Sequence, residues 1–287
     1  MAAALEPTTS SSRITCGKIA DQDQGMMLPK QRALAEEFRV SRDTVQRAFR
    51  ELQSEGWIDT RRGQGSRVIR TQRIHSPSKG QGPDRTVTLL SLIAQAFEEP
   101  EVTLDVFTLT SESLEAHIRL QSEEIRAGNI APQRIALRLL LPSESLEFPY
   151  WRTGDGVHDQ LLRERFLDIT RRHTRSLRRM LSDLRAMKLV PEVEFEIRRA
   201  LLVPAFKLYL INNVEALHGT YQVFTRPIAL DTGVITAIDV SSLGAQLTHY
   251  VKDGQDPFSQ GTVVVESMQA WFNSAWEHLT AGALPES

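Results

Sequence analysis

The stretch from Leu28 to Ile69 constrains the fold of this chain more than any other, because two short helical patterns are followed there by a hairpin pattern. Pro29 suits the first turn of a helix, and apolar residues around Leu34 follow it with helical spacing. Ser41 can cap a second helix, in which apolar residues recur at positions 45, 48, 49 and 52. We therefore predict two helices joined by a tight turn.

A hairpin with a glycine-rich, arginine-bearing tip is predicted after the second helix. Gly56 stands where a left-handed residue commonly ends a helix. Apolar pairs at 57–58 and 68–69 then flank Arg61-Arg62-Gly63-Gln64-Gly65, a run that permits a sharp turn. Helix, turn, helix and hairpin in this order outline an α+β winged helix-turn-helix, a fold that places its second helix in the major groove of DNA.

The exposed face of the second helix is predicted to read DNA. Arg42 and Gln46 lie four residues apart and therefore on one face, where arginine can bond to guanine and glutamine to adenine. Phosphate contacts are expected from Arg32, Ser41 and Thr44, and the hairpin arginines can enter the minor groove. A solvated basic face is the alternative for a lone helix, but helix, turn, helix and hairpin together favour DNA binding.

The segment resembles the DNA-binding domain of GntR-family transcriptional regulators over about forty residues. The resemblance is carried by Leu28-Pro29, Arg32, Leu34-Ala35, Val40-Ser41-Arg42, Thr44-Val45, Glu55-Gly56 and Arg62-Gly63-Gln64-Gly65. It implies operator contacts from Arg32, Ser41, Arg42, Thr44, Gln46, Arg62 and Gly63. The same helix face and hairpin tip add Arg47 and Arg61. Gln46 stands where many members have arginine, so we expect an altered base preference. The family's long first helix is poorly represented before Leu28.

The charge of the chain is divided unevenly. Residues 28–73 contain eleven Lys/Arg and six Asp/Glu, a net charge of +5, whereas the whole chain carries −2 and the remainder therefore −7. A basic segment joined to an acidic remainder fits one domain on phosphate and another kept away from it. We predict a disordered tail at 1–12, the DNA-binding domain at 13–70, an exposed linker at 71–86 and a second domain at 87–287.

A reducing, cytoplasmic location is expected, associated with the nucleoid. The single cysteine, Cys16, cannot form an internal disulfide. No apolar run approaches the roughly eighteen residues of a membrane span, and the first residues lack the pattern of a secretory signal. Because no phosphate loop, dinucleotide fingerprint or metal-ligand spacing is found, we expect no cofactor, no metal and no membrane contact.

The second domain is predicted to be a mixed α/β domain, because helical and strand patterns alternate early and hairpin patterns come late. Helices are predicted at 89–97, 112–126, 157–188 and 266–279. Strands are predicted at 102–109, 134–141, 192–198, 206–211, 216–224, 227–230 and 234–240. The arginines of the long helix can form a nucleic-acid or anionic-ligand surface, or simply a solvated face.

One motif in this domain, Lys207 with Asn212 and Gly219-Thr220, is spaced like the signature of the phospholipase D superfamily. Ala205 replaces the nucleophilic histidine and Asn212 the aspartate, so a phosphohistidine intermediate cannot form. The resemblance implies a non-catalytic, sensor-like pocket in which Lys207, Asn212 and Thr220 hold a small-molecule effector, with an anion at Lys207. The alternative is that Lys207 merely ends an ordinary strand.

Together these patterns predict a non-enzymatic, effector-controlled transcriptional regulator. We expect a homodimer on a double-stranded operator, because one winged helix reads only a half-site. Repression is the expected output, although the residues do not separate it from activation. One alternative is a phosphodiesterase or nuclease targeted by the winged helix, which the missing histidine disfavours. Another is a DNA-binding protein whose second domain recruits a partner and senses nothing.

Overall fold

The structure, a computed structural model, describes residues 26–37, 41–46, 49, 58–61, 65–68, 74–75, 88–230, 233–240 and 246–280. At positions 59, 61, 75 and 229 only the backbone is described. The chain divides into two compact units, Met1–Gln72 with Pro227–Ile235 and Arg73–Arg226 with Thr236–Ser287. We call the first the N-terminal unit and the second the C-terminal unit.

Two helical segments and an antiparallel hairpin make up the described part of the N-terminal unit before Gln72. Helix α1 spans Gln31–Glu37, and residues 42–46, which we call the recognition segment, are also helical. Strands β1 (Ile58–Arg61) and β2 (Gly65–Val68) pair antiparallel, from Ile58 opposite Val68 to Arg61 opposite Gly65. Among the described residues the predicted order of two helical segments and a hairpin is confirmed. The predicted turn before Ser41, the end of the second helix and the hairpin tip at 62–64 lie outside the described residues.

A small apolar core holds these elements together. Its buried side chains are Leu28, Leu34, Val45, Phe49, Ile58 and Val68. The Leu28 amide donates to the Ser66 carbonyl and the Val68 amide to the Met26 carbonyl, both at 2.8 Å, so residues 26–28 extend the hairpin by a third segment. Burying one such side chain stabilises a fold by roughly 1.5–3 kcal/mol, and this core therefore fixes which helix faces point outward.

A seven-stranded mixed sheet forms the centre of the C-terminal unit. Its strands are β3 (Ile74–His75), β4 (Glu101–Phe107), β5 (Arg134–Pro142), β6 (Glu192–Ala200), β7 (Phe206–Ile211), β8 (Glu215–Thr220) and β11 (Leu247–Val251). Their order in the sheet is β3-β11-β8-β7-β4-β5-β6. Strands β4, β5 and β6 are parallel, whereas β7 and β8 are antiparallel to their neighbours. Strands β9 (Val223–Leu230) and β10 (Gly233–Val240) form a separate two-stranded sheet.

Four described helices cover this sheet: α2 (Leu89–Glu98), α3 (Glu112–Ala127), α4 (Asp159–Ala186) and α5 (Gln260–His278). Helices α2, α3 and α4 share one apolar cluster with Leu137 and Leu139 of β5, while α5 shares another with Leu140. Successive strand residues point to opposite faces, so three helices lie on one face and α5 on the other. The predicted mixed α/β architecture of this part of the chain is confirmed.

The carboxyl ends of β4, β5 and β6 meet at one edge of the sheet. Strand β7 starts at the same edge, because Phe107 at the end of β4 pairs with Leu208. We call this region, the loops after β4, β5 and β6 together with the start of β7, the carboxyl edge. Ligands of open α/β sheets bind outside the carboxyl ends of the parallel strands.

Three differences from the predicted elements concern strands. The pattern over 216–224 belongs to two strands, since β8 ends at Thr220 and β9 starts at Val223. Strand β11 was not predicted, because its five residues mix apolar and polar side chains without clear alternation. Within the predicted linker, Ile74–His75 pair with Leu247 and Thr248, a contact that depends on a partner far away in sequence.

Two glycines of the sheet region are required by close packing. A Cβ atom at Gly219 would lie 2.5 Å from the carbonyl oxygen of Gln246, and one at Gly261 would overlap the carbonyl oxygen of Val251. Both obstacles are backbone atoms, which cannot rotate away as a flexible side chain can. Helix α5 can therefore start against β11 only because its second residue has no side chain.

Candidate functional site

The residues predicted to read DNA begin at the cap of the recognition segment. The Thr44 amide donates to Ser41 Oγ at 3.1 Å, and the two side-chain hydroxyl oxygens lie 2.8 Å apart. This bond satisfies one of the amides that every helix start leaves without an intrahelical partner. It fixes the first turn, and with it Arg42, relative to the core residue Val45.

The recognition segment has a buried and an exposed face. Val45 is 0% exposed, whereas Arg42, Asp43 and Gln46 are exposed and Thr44 is half-buried. Arg42 and Gln46 are about one helical turn apart, so their side chains share the solvent face. A guanidinium and an amide on that face offer the donors and the acceptor that match guanine and adenine edges.

The other predicted DNA contacts surround this face or lie outside the described residues. Arg32 in α1 is 87% exposed and its Nε donates to Glu36 Oε1 at 3.1 Å. An exposed pair of this kind contributes about 0.3–0.5 kcal/mol, so Arg32 is easily transferred to a phosphate. The backbone of Arg61 ends β1. Arg47, Arg62 and Gly63 lie outside the described residues.

Lys207 lies inside the C-terminal unit, at the carboxyl edge. It is 1% exposed, and its Nζ is 5.6 Å from the centroid of the Tyr221 ring. Burial lowers the pKa of Lys207 to about 8, and the carboxylate of Glu112 opposes that shift. An ammonium group is kept in an interior only by charged or π-electron partners, so Lys207 belongs to a polar cluster rather than to the solvated end of a strand.

The start of α3 adds unsatisfied polar atoms to this cluster. Ser111 is 0% exposed and precedes α3 without making a capping bond. Within the described residues, neither Ser111 Oγ nor His117 Nδ1 has a hydrogen-bond partner. Burial, assisted by the charge of Lys207, lowers the pKa of His117 to about 4. Buried polar atoms without partners cost about 1–3 kcal/mol each, and such atoms are expected contacts of ordered water or of a bound molecule.

Tyr221 ties the cluster to the loop after β4. Its hydroxyl accepts a hydrogen bond from the Leu109 amide at 2.8 Å and lies 3.0 Å from Thr108 Oγ1. Burial raises the pKa of Tyr221, so the hydroxyl stays protonated at neutral pH. The ring that faces Lys207 is therefore held in place from its far end.

The three residues predicted to share a ligand site are not brought together. Thr220 is exposed and pairs with Phe206, next to Lys207. Asn212 follows the opposite end of β7, and five residues of strand place it about 17 Å from Lys207. Its Oδ1 accepts from the Thr103 amide and its own amide donates to the Thr103 carbonyl, both at 2.8 Å. Asn212 lines a different cavity, of about 440 Å³.

Gly219 has a structural role that is independent of any catalytic signature. The backbone of Gln246 occupies the space of a side chain at that position. Close packing therefore accounts for this part of the motif spacing by itself. Ala205, at the position of the missing nucleophile, is exposed, and its carbonyl accepts from the Tyr221 amide at 3.0 Å.

A buried carboxylate joins α3 to α4 beside the cluster. Ser176 Oγ donates to Glu115 Oε1 at 2.7 Å, and Arg119 pairs with the same oxygen. His173 Nδ1 lies 3.5 Å from Glu115 Oε2. Although burial alone would raise the pKa of Glu115, these partners lower it to about 2. The carboxylate thus stays charged and anchors the long helix.

The arginines of α4 are partly engaged in internal contacts. Arg163 donates to the Glu144 carbonyl at 2.8 Å, Arg171 bonds to the Glu144 carboxylate at 2.5 Å, and Arg178 lies 5.8 Å from the centroid of the Phe195 ring. Among the described residues no group of histidine, cysteine and carboxylate side chains is placed to hold a metal ion. None of the described helices has the length and apolarity needed to cross a membrane.

Sequence reasoning missed Ser111, His117 and Tyr221. Ser111 carried a usable signal, since a serine directly before a predicted helix is a common cap. His117 and Tyr221 carried none, because their importance comes from a sheet that brings residues more than a hundred positions apart into contact. The motif spacing did point to Lys207, the group on which these side chains converge.

The family match to this chain lies in the N-terminal unit. Residues 21–68 match the family model described as bacterial regulatory proteins, gntR family. The solved structure of PhnF from Mycobacterium smegmatis is 30% identical over 25% of this chain and 31% of its own, with a TM-score of 0.20. TrmBL2, an archaeal chromatin protein with a novel mode of DNA binding, is 11% identical over 96% of this chain and 94% of its own, with a TM-score of 0.29. A comparison with curated protein sequences gives no significant match.

Proposed function

We propose that this protein, whose residues 21–68 match the family model described as bacterial regulatory proteins, gntR family, is a sequence-specific DNA-binding transcriptional regulator. One observation carries the proposal. The recognition segment is capped by Ser41 and turns Arg42 and Gln46 to solvent, opposite the buried Val45. A helix held in this way against a hairpin is suited to the major groove.

Each predicted contact has a distinct role in this proposal. Arg42 and Gln46 read base edges, because they are the long polar side chains on the exposed face. Phosphate contacts, which fix register without reading sequence, come from Arg32, Ser41, Thr44 and Arg47. Minor-groove contacts at the tip of the hairpin come from Arg61, Arg62 and Gly63.

The regulator is proposed to act as a homodimer on a two-fold symmetric operator, and to repress. Two winged helices read two half-sites separated by about one helical turn of DNA, roughly 34 Å. The cytoplasm, in association with the nucleoid, is the proposed location. A basic segment of net charge +5 beside an acidic remainder supports this arrangement, since only one part of the chain is attracted to phosphate.

The C-terminal unit is proposed to bind a small effector that controls DNA binding. Support comes from the carboxyl edge, where Lys207 is buried and its charge acts on His117 of α3. His117 Nδ1 and the Oγ of Ser111, which precedes the same helix, have no partner among the described residues. Thr220 lies at this end of β7 and belongs to the proposed site. Asn212 lies at the other end and is proposed to line a separate cavity.

We propose that the unit is not an enzyme. A phosphodiesterase of the phospholipase D type needs a histidine nucleophile, and Ala205 stands in its place. The enzyme alternative can be tested directly by an assay for phosphodiester hydrolysis. Hydrolysis of bis(p-nitrophenyl) phosphate by the purified chain, abolished by Lys207→Met and retained by Arg179→Ala, would favour it over the non-catalytic proposal.

The experiment that tests the DNA-binding proposal starts with selection of bound sequences from a random duplex pool. Arg42→Ala is then expected to weaken specific binding by about 1–3 kcal/mol in a mobility shift, with non-specific binding nearly unchanged. Arg179→Ala, an exposed arginine of α4, is the matched control and should bind like the unaltered chain. Equal losses for both variants, or no selected sequence, would contradict the proposal.

Salt dependence gives an independent check. Each phosphate contact releases about 0.9 counterion from duplex DNA, so the logarithm of affinity should fall steeply with the logarithm of salt concentration. Arg32→Ala is expected to lower this slope by about one while leaving sequence preference unchanged. An affinity that does not vary with salt would contradict the whole interpretation.

A further inference from the structure

A cavity of about 190 Å³ opens at the carboxyl edge, between the loop after β5 and the first turns of α4. The side chains that matter in its lining are Phe148, Tyr150, Trp151, Arg152, Asp159 and Arg163. A cavity of about 150 Å³ holds a benzene molecule, so this one has room for a single six-membered ring with one substituent. Lys207, Asn212 and Thr220, which were predicted to share a ligand site, do not line it, whereas Arg163 is one of the arginines of the long helix.

Trp151 is held at the wall of this cavity in a conformation that large side chains rarely adopt. Its φ is +61°, in the left-handed region, where a bulky residue is an outlier. The Trp151 amide donates to the Ile238 carbonyl at 2.7 Å, and its Nε1 donates to Asp239 Oδ1 at 3.0 Å. The indole also stacks on Phe166 with ring centroids 3.9 Å apart. Such strain persists where the surroundings enforce it, and it clusters at ligand sites.

The remaining wall is also aromatic. Phe148 meets Trp151 edge-to-face at 5.1 Å between ring centroids, and Tyr150 meets it at 4.9 Å and nearly perpendicular. Burial raises the pKa of Tyr150 to about 12, so its hydroxyl does not bring a charge into the cavity. Rings arranged in this way attract a further planar ring through offset or edge contacts, which an aliphatic ring cannot make.

The rim of the cavity carries unequally engaged charges. Arg152 is exposed, and among the described residues no acidic side chain pairs with it. Arg163 uses one nitrogen for the Glu144 carbonyl, which leaves the rest of its guanidinium available. Glu147 is exposed on the same rim, and its negative charge does not favour the binding of an anion.

The other polar groups of the rim are already satisfied. Asp159 Oδ1 accepts from the amide and the hydroxyl of Thr153, at 2.8 and 3.1 Å. It also stands in the first turn of α4, where the helix dipole favours a negative charge. Gln160 donates to Glu164 at 2.8 Å. Two guanidinium groups with spare donors therefore outweigh the one carboxylate, Glu147, that has no such engagement.

We propose that this cavity binds a planar aromatic ring bearing a carboxylate, with the ring against Trp151 and Phe148 and the carboxylate on Arg152. This site is separate from the effector site proposed at Lys207, and only an influence of its ligand on DNA binding rests on the proposed function. An arginine fork matches a carboxylate with two parallel hydrogen bonds. The aromatic wall and the two guanidinium groups line the same small space, which selects both properties in one molecule.

The test is a calorimetric titration of the full chain with benzoate as probe. Benzoate is expected to bind with a Kd of about 1 mM or below. Arg152→Gln should weaken binding by about ten-fold, while Arg175→Gln, an exposed arginine twelve residues further along α4 than Arg163, should have no effect. Cyclohexanecarboxylate, which has the same charge but no aromatic ring, should bind several-fold more weakly.

Each outcome decides the proposal. Absence of benzoate binding, equal affinity for cyclohexanecarboxylate, or full affinity in Arg152→Gln would overturn it. Arg152 is exposed, so this variant should fold, and an unchanged melting temperature without ligand confirms that. Operator binding measured with and without benzoate separates the two proposals. Tight operator binding that benzoate leaves unaltered would count against control of DNA binding by this ligand. Binding of benzoate by a chain that selects no operator would support the cavity proposal and contradict the proposed regulator.

Discussion

The two units of this protein differ in whether their polar functional side chains are exposed or buried. In the N-terminal unit Arg42 and Gln46, which are proposed to read base edges, are exposed and close in sequence. Ser41 and Thr44 organise the segment that carries them through a bond across three positions. In the C-terminal unit Lys207, Glu112 and Tyr221 are brought together by the sheet and Lys207 is buried. Substitutions in the first should therefore alter affinity with little loss of fold, whereas those in the second should alter both.

The largest expected effect tests how tightly the C-terminal interior is specified. Gly261→Ala is expected to destabilise the C-terminal unit by about 4 kcal/mol, because the new methyl group meets the Val251 backbone, which cannot move aside. Urea unfolding followed by circular dichroism measures the difference. Gly254→Ala is the control, since nothing lies within 4 Å of its added Cβ. Similar urea midpoints for the two variants would show that α5 can shift to accept a side chain. The contrast between a tightly packed C-terminal unit and an exposed DNA-binding face would then be weaker.

Acid should weaken the C-terminal unit through His117. Burial, with the charge of Lys207, lowers the pKa of His117 from 6.5 to about 4, so the folded state keeps it neutral while the unfolded chain takes up a proton. Stability is fully present above the unfolded pKa and is lost as pH falls from about 6.5 to about 4, by roughly 3 kcal/mol.

Urea unfolding at several pH values measures this loss. The variant His117→Gln should flatten the curve over that interval, while a loss below pH 4.5 should remain, because Glu115 has a folded pKa of about 2 against a reference of 4.5. A curve for His117→Gln that coincides with the unaltered one would show that this histidine does not resist protonation in the fold.

A smaller effect is expected at the hydroxyl of Tyr221. Tyr221→Phe removes the acceptor of the Leu109 amide and leaves that buried donor without a partner, which should cost about 2 kcal/mol of unfolding free energy. Tyr250→Phe is the control, because Tyr250 is half-buried and no hydrogen bond of its hydroxyl is seen among the described residues. Equal stability of both variants would mean that the loop after β4 is held by other contacts.

The smallest effect is expected at the cap of the recognition segment. Ser41→Ala should destabilise that helix by about 1 kcal/mol, because the Thr44 amide loses its acceptor. Faster amide exchange at residues 42–46 together with weaker operator binding would support the view that the recognition segment is organised by local bonds, unlike the buried cluster around Lys207. Ser274→Ala, exposed in α5, should change neither quantity. A global loss of stability in Ser41→Ala would contradict the view that the cap acts locally.

The DNA-binding part of the N-terminal unit could be predicted from the sequence because its signals are local. A cap serine, apolar residues at helical spacing and a glycine-rich tip each act within a few positions, and they imply the burial of Val45 and the exposure of Arg42. The helices of the C-terminal unit and most of its strands followed from periodicity in the same way. Motif spacing also indicated Lys207, although Asn212 lies at the other end of the strand.

The rest of the site could not be predicted, because it depends on how strands are ordered. Nothing local indicates that Tyr221 reaches Leu109 or that Asn212 pairs with Thr103. Strand β11 lies between β3 and β8, so its short sequence is stabilised by partners that come before and after it in the chain. The left-handed Trp151 is also invisible to patterns, since tryptophan is a residue for which that conformation is not expected.

Strand β3 gives the sheet an order of opening. Among the described residues, Ile74–His75 meet β11 through two residue pairs, whereas every other neighbouring pair of strands in this sheet has at least four. Amide hydrogens between β3 and β11 should therefore exchange with solvent long before those between β4 and β5, which share seven pairs. Detachment of Ile74–His75 leaves the remaining six strands paired. We therefore expect β3 to open and close many times within the lifetime of one folded molecule.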